Sequence, residues 1–259
     1  MEKTNIIKIG LVSYLNTLPF VYGIRTMIEN QKQWNLKIIQ AYPSECTNLF
    51  RENKIDIGII PIGALPNLKN YQIVSKFCLG TKQKVDSVLL LSHNPIKNID
   101  TILLDYQSET SVLMAKILAR YYWKINPIWE NTTQGFEDKI KNNTAGIVIG
   151  DRTFTLKNKF EFTYDLAYEW FSFQKLPFVF AAWVAKPNLS KQFINDFNLF
   201  LNIGVQQIPK ALKLFFNNYN LPITQTDALD YLTNKMNYNY TKEMQKSKDK
   251  FLSFLKNLE

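Results

Sequence analysis

Three short apolar runs alternate with helix-length segments over the first sixty residues, and then the alternation stops. Ile6 to Val12, Leu36 to Ala41 and Ile55 to Ile60 have buried-strand length and character. Between them lie Pro19 to Asn30, with Phe20, Ile24, Met27 and Ile28 predicted inward, and a segment opening at Pro43-Ser44. Such alternation predicts βαβ units and a mainly parallel sheet. At Tyr71 two extended runs, 71–80 and 87–92, follow one another with no helix between, as if the chain left one sheet for another. The α/β rhythm then restarts, with strands predicted at Thr101 to Leu104, Ile125 to Trp129, Ala145 to Ile149 and Phe160 to Asp165. Pro177 to Val184 is a second extended apolar run of crossing length, and everything from Ser190 onward reads as helix.

This predicts an α/β chain of two lobes. Residues 1–88 and 182–259 form lobe 1, with the C-terminal helices on it, and 89–181 form lobe 2. Each lobe is expected to hold a mainly parallel sheet flanked by helices, the two joined by two crossover strands. A ligand in such a layout sits between the lobes, facing strand ends of both.

The first strand ends at Ser13-Tyr14-Leu15-Asn16-Thr17. Thr17 can cap the next helix and Pro19 suits its first turn. Ser44 is the expected cap of the second helix. The first of these turns is either an ordinary capped strand–helix turn or an anion site built from free N–H groups and a helix dipole. Ser108-Glu109-Thr110-Ser111 opens a helix with inner stripe Met114, Ile117, Leu118 and Tyr121, again a cap or a carboxylate seat.

Other chemistries are poorly supported. No G-x-G-x-x-G or G-x-x-x-x-G-K-[ST] occurs. One histidine, His93 beside the Asn94-Pro95 turn signal, and two separated cysteines, Cys46 and Cys78, argue against zinc or a Cys–His nucleophile. A carboxylate-only magnesium site stays open, because Asp105 and Asp151 both end predicted strands. The net charge of +9 raises nucleic acid, anionic lipid or an anionic small molecule as partners. The densest lysine cluster, Lys242 to Lys250, alternates with Met244, Phe251, Leu255 and Leu258 on a helical period, which makes it a solvated face rather than a nucleic-acid stripe. No run approaches the length of a membrane span, and Ile6 to Val12 lacks a small-residue cleavage site, so a cytoplasmic location is expected.

An ordered set of blocks resembles the chorismate dehydratases of the futalosine route to menaquinone, a periplasmic-binding-protein-like family of type II fold. The blocks are Ser13-Tyr14-Leu15-Asn16-Thr17-x-Pro19-Phe20, Pro43-Ser44-Glu45 and Asp56 to Pro61. They continue with Asp86-Ser87-Val88-Leu89-Leu90, Asp105-Tyr106-Gln107-Ser108-x-Thr110-Ser111 and Ile149-Gly150-Asp151. They close with Asp165 to Trp170 and Leu176 to Trp183. Glu109, Asp86 and Tyr168 depart from the family pattern, which usually has arginine at the first of these positions.

The resemblance implies cofactor-free loss of water from chorismate, giving 3-[(1-carboxyvinyl)oxy]benzoate, with no metal. It implies Asn16 and Asp151 as catalytic residues. Ser13, Tyr14, Thr17, Ser87, Ser108, Thr110, Ser111 and Gly150 would bind the dianionic substrate. Two other readings stand beside it: a cytoplasmic binding protein for a small anionic ligand, and the sister naphthoate synthase of the same pathway and fold.

Overall fold

A computed structural model describes residues 6–217 and 223–258. The elements of the first half are β1 (Ile7–Val12), α1 (Leu18–Asn30), β2 (Leu36–Ala41), α2 (Pro43–Arg51), β3 (Ile57–Pro61), β4 (Gln72–Thr81), β5 (Val88–Ser92), β6 (Thr101–Leu104), α3 (Thr110–Leu118) and β7 (Ile128–Asn131). The second half contributes β8 (Thr144–Ile149), α4 (Thr153–Leu156), β9 (Phe162–Asp165), α5 (Leu166–Gln174), β10 (Phe178–Ala185), α6 (Lys191–Gln206), α7 (Ile208–Phe216), α8 (Gln225–Asp230), β11 (Asn237–Asn239) and α9 (Lys242–Leu255).

They build two sheets, ordered β11-β4-β10-β3-β1-β2 and β7-β6-β8-β5-β9. Both are mixed, with most strands of each sharing one direction. β1 runs parallel to β2 and β3, but β10 is antiparallel to both β3 and β4. In the second sheet β6 runs parallel to β7 and β8, while β5 is antiparallel to β8 and β9. The reversed strands inside the sheets are thus the two that follow a crossing. Each arrives from a strand of the other sheet, so no crossover within its own sheet sets its direction.

The chain leaves the first sheet between Thr81 and Val88, as the helix-free stretch predicts. The return differs from expectation. Phe178 already pairs with Thr81, so all of Phe178–Ala185 lies in the first sheet, including residues 178–181 that the sequence groups with lobe 2. Lys175, at φ 57°, ends α5 just before it. β10 is buried along nearly its whole length, as befits a strand between two neighbours with both faces covered.

Several local expectations change. Neither Thr17 nor Ser44 accepts a capping bond; the residue before α2 is Tyr42, and Pro43 opens that helix. Ile28 is exposed rather than inward. The run from Ser190 is interrupted by β11, which adds an edge strand to β4. Three later helices are capped by hydroxyls: Ser190, Thr224 and Thr241 accept from the Phe193, Asp227 and Met244 N–H groups. On α9, Met244, Ser247 and Phe251 are buried while Lys242, Lys246 and Lys250 face outward.

Two contacts hold the C-terminal helices to the site's scaffold. α6 crosses α1 at backbone contact: a Cβ on Gly204 would lie 1.9 Å from the Pro19 carbonyl oxygen. α9 is pinned by Trp170, fully buried among Phe173, Phe178, Phe251 and Phe254, whose indole N–H donates to Ser247 Oγ at 3.1 Å. Among the described residues, no helix is long and apolar enough to cross a membrane.

Candidate functional site

The loop after β1 meets the second sheet directly. Residues Leu15 to Thr17 form a single 3-10 turn. Thr17 is fully buried, and its hydroxyl reaches the carbonyl oxygens of Val12 at 2.6 Å and Tyr14 at 2.8 Å, folding the loop back onto its own strand. The N–H that opens the turn, on Leu15, donates to both carboxylate oxygens of Asp151, at 3.1 and 3.2 Å. The sequence predicts an anion at this turn; here the protein supplies it, from across the gap between the sheets.

Asp151 follows β8 in a short 3-10 turn, Gly150–Arg152. Burial pushes its carboxyl up to about 6, against the lowering effect of the Leu15 N–H. The folded state therefore holds the Asp151 proton more tightly than the unfolded chain. Stability from this group is fullest below about pH 4, falls as pH rises to about 6, and is level above. Over that window wild type should lose about 1–3 kcal/mol more than Asp151→Asn in urea titrations. Equal slopes for the two proteins would refute the assignment.

Gly150 lets this turn approach. It has φ +71°, and a Cβ there would lie 2.7 to 2.8 Å from three ring atoms of Tyr14. The Tyr14 hydroxyl donates to Gln107 Oε1, a third link between the sheets. Burial and the Asp105 charge both raise the Tyr14 pKa, so it stays a neutral donor. The same Gln107 oxygen accepts from Arg152 at 3.3 Å. Arg152 also pairs with Asp105 and Glu137 and lies over the Tyr106 and Phe136 rings. Asp105 is thereby committed to Arg152 and to the N–H groups of Gln107 and Ile149. Its burial raises its pKa. Among the described residues no cluster of three or more His, Cys, Asp or Glu could hold a metal.

The start of α2 faces the same loop. Ser44 N–H donates to Gln107 O at 3.3 Å, Ser44 Oγ to Tyr106 O at 3.3 Å, and the Tyr42 ring packs between Tyr14 and Tyr106. Ser108 Oγ accepts from Ser111 N–H at 3.1 Å, a capping bond at the head of α3. Thr110 accepts from Gly63 N–H at 3.0 Å and donates to Phe180 O at 3.1 Å, so its single proton already binds α3 to the first sheet. Ser111 is buried beside it. Glu109, where the family pattern has arginine, is half-buried and accepts from Thr47 Oγ1 at 3.4 Å, with the Arg51 charge nearby. Its carboxylate thus faces α2. Asp86, at φ 63°, pairs with Lys84 and Lys235 at the crossing, and Tyr168 is exposed.

The deepest part of the seam is built around Asn16 and Ser87. Ser87, at the start of β5, is buried, and its Oγ lies 2.8 Å from the Tyr231 hydroxyl. Asn16 Oδ1 is buried with no hydrogen-bond partner, while the Asn16 carbonyl accepts from Tyr238 at 3.0 Å. Two surface recesses lie elsewhere: one of about 850 Å³ by Arg51, Lys69 and Lys186, and one of about 450 Å³ behind Tyr238.

Of the residues singled out from sequence, Tyr14, Asn16, Ser87, Ser108, Thr110, Ser111, Gly150 and Asp151 gather along this seam. Ser13 is exposed and bonds Ala41 O through its N–H, while Thr17 is turned into the loop. Sequence reasoning missed Tyr42, Arg152, Tyr231 and Tyr238. Tyr42, beside the Pro43-Ser44 block, and Arg152, directly after the Gly150-Asp151 block, carried a usable signal.

Two mixed sheets flanked by helices and joined by two crossings define a periplasmic-binding-protein-like fold. Protein AF1704 from Archaeoglobus fulgidus aligns with 97% of each chain covered, at 14% identity and a TM-score of 0.75. The Candida albicans CA3427 gene product, described as having the generic periplasmic binding protein fold, aligns over 98% of this chain and 90% of its own, at 12% identity and TM-score 0.69. The alkanesulfonate-binding protein SsuA of Xanthomonas axonopodis pv. citri, bound to MOPS, aligns over 100% and 94%, at 9% identity and TM-score 0.69. The family model described as menaquinone biosynthesis matches residues 7–257, and the chain belongs to that family.

Proposed function

We propose that this protein dehydrates chorismate to 3-[(1-carboxyvinyl)oxy]benzoate, working in the cytoplasm and without a cofactor. One observation supports this reading above the others. Sequence blocks far apart in the chain, around Asn16, Ser87, Gln107 and Gly150-Asp151, meet on the two faces of a single seam lined by amide and hydroxyl groups. The family supplies the pathway.

The reaction needs little from the protein. The C4–O bond breaks, the C3–H bond gives its electron pair to the ring, and the ring becomes aromatic. The C3 proton passes to the substrate's own enolpyruvyl carboxylate. The departing hydroxide, held by the Asn16 amide donors, takes up that proton and leaves as water. No redox change occurs, so no oxidant or reductant is required. Ser87, Ser108, Ser111 and the N–H groups at the head of α3 hold the carboxylates, and closing the seam fixes the conformer. Asp151 is the alternative proton acceptor.

The test is to incubate purified protein with chorismate and follow the aromatic product by absorbance and mass. Product one water lighter than substrate is expected. Binding without turnover favours a receptor for a small anion, and absence of both removes chorismate as the ligand. Asp151→Asn keeps an oxygen for the Leu15 N–H; near-normal turnover leaves the proton with the substrate, whereas a loss of about a hundredfold or more gives it to Asp151.

A further inference from the structure

Asp165 ends β9 and caps α5, and the same carboxylate reaches the first crossing. Its Oδ1 accepts from the N–H groups of Ala167 at 3.0 Å and Tyr168 at 3.1 Å, the bonds of a helix cap. Its Oδ2 accepts from the N–H groups of Val85 at 2.9 Å and Asp86 at 2.7 Å. Those two residues stand immediately before Ser87, on the segment that links β4 to β5. Successive N–H groups closing on one anionic oxygen form a backbone nest. Asp86, left-handed at φ 63°, turns the chain at that point.

Each oxygen of Asp165 thus faces a pair of donors. A carboxylate meets that demand because it accepts at both ends, whereas an amide accepts at one end only and sets its own N–H bonds against donors at the other. Asp165 is buried, and burial raises its pKa to about 6, which leaves it ionised above about pH 7. On the far side of Ser87, the Gly150 N–H donates to the Ser87 carbonyl oxygen at 2.9 Å. The backbone of residues 85–87 is therefore held from both ends by turns of the second sheet, at Asp165 after β9 and at Gly150 after β8. Side chains of the same stretch meet the C-terminal segment: Ser87 through Tyr231, and Asp86 through Lys235. Residues 82–84, which precede the clamped stretch, are exposed.

We propose that Asp165 is a positioning residue: its carboxylate clamps the first crossing to the second sheet and so sets where Ser87 stands in the seam. The effect on turnover rests on the dehydratase reading, in which Ser87 holds a substrate carboxylate; the clamp itself does not. Asp165→Ser is the informative variant. Serine caps helices about as well as aspartate, but its one short hydroxyl cannot also reach Val85 and Asp86. α5 keeps its cap while the crossing loses its anchor. A carboxylate is held alike in the bound substrate and in the transition state. Above about pH 7, KM for chorismate should therefore rise about tenfold or more while kcat stays within about threefold. Ser87→Ala should show the same split, and the double variant should lose less than the product of the two single losses. A fall in kcat with KM unchanged, or both values within about twofold of wild type, would overturn the proposal.

Amide hydrogen exchange needs no substrate and separates this from failure of the dehydratase reading. In wild type the Val85 and Asp86 amides should exchange about as slowly as those within β5. In Asp165→Ser they should exchange at least about tenfold faster, while Ala167 and Tyr168 stay within about threefold of wild type. Asp165→Asn, with one acceptor for two pairs of donors, should release one pair and not both. Wild-type amides at 85 and 86 that exchange as fast as those of residues 82–84 defeat the clamp, whether or not the variants fold. Folded variants with no selective loss defeat it equally. If wild type turns over no chorismate, the exchange pattern alone decides.

Discussion

Asn16→Ala is expected to reduce kcat for chorismate dehydration by about two to three orders of magnitude while leaving the substrate dissociation constant within a few-fold. Removing a preorganised donor from the place where charge develops costs about that much in other enzymes. The asymmetry between kcat and affinity follows from the role given to the residue. In the proposed reaction its donors meet a hydroxyl that is neutral in the bound substrate and anionic only as it departs, so their strength grows along the reaction. Asn16→Asp makes a useful companion. It keeps the shape but offers acceptors in place of donors, and it sets a negative charge against a dianion. Both KM and kcat should suffer. Single-turnover kinetics with calorimetric binding separates the two quantities. An alanine variant that retains a third or more of wild-type kcat would end the assignment.

The second large effect is expected at Gly150. Gly150→Val adds a branched side chain to a residue at φ +71°, and its Cβ falls within 2.8 Å of the Tyr14 ring. The ring cannot simply swing aside, because its hydroxyl is bonded to Gln107. Strain of about 1–3 kcal/mol from the backbone adds to the clash. The clash is relieved if the two sheets part, so the variant should favour an open form. We expect kcat/KM lower by about a hundredfold, and X-ray scattering in solution should show a larger radius of gyration than wild type. Replacing Tyr14 by alanine in the Gly150→Ala background should restore part of the closure, because the space returns while the backbone strain stays. Wild-type compaction and activity in Gly150→Val would show that this contact does not govern closure.

Much of the fold was legible because apolar run length and cap chemistry are local properties. β1, β2, β3, β6 and β8 lie close to where their hydrophobic runs place them, and α3 opens beside Ser108, whose hydroxyl accepts from Ser111 N–H. Strand direction was not legible in the same way. The runs forming β5 and β10 look like any buried strand, and their reversal follows from where the chain comes from, which no short window contains. Thr17 illustrates a different failure. Its type and position suit a cap, but the buried carbonyls of Val12 and Tyr14 compete for the hydroxyl and win. The candidate site was readable where turns follow strands, at Asn16, Ser108 and Gly150-Asp151. Tyr231 and Tyr238 were not, since a tyrosine carries no mark in the sequence that distinguishes a packing ring from a hydroxyl aimed at a distant partner such as Ser87 or the Asn16 carbonyl.

The placement of β10 bears on how the molecule is made. During synthesis β3 and β4 emerge early, yet they do not pair with each other; the strand that joins them is translated only after the entire second sheet. The region from Val88 to Asp165 is contiguous and can assemble while the first sheet still lacks its middle. Until Phe178 to Ala185 arrives, the edges of β3 and β4 that β10 will join stay unpaired, a form of exposure that ribosome-bound chaperones exist to cover. The later-folding half is therefore the one that begins the sequence.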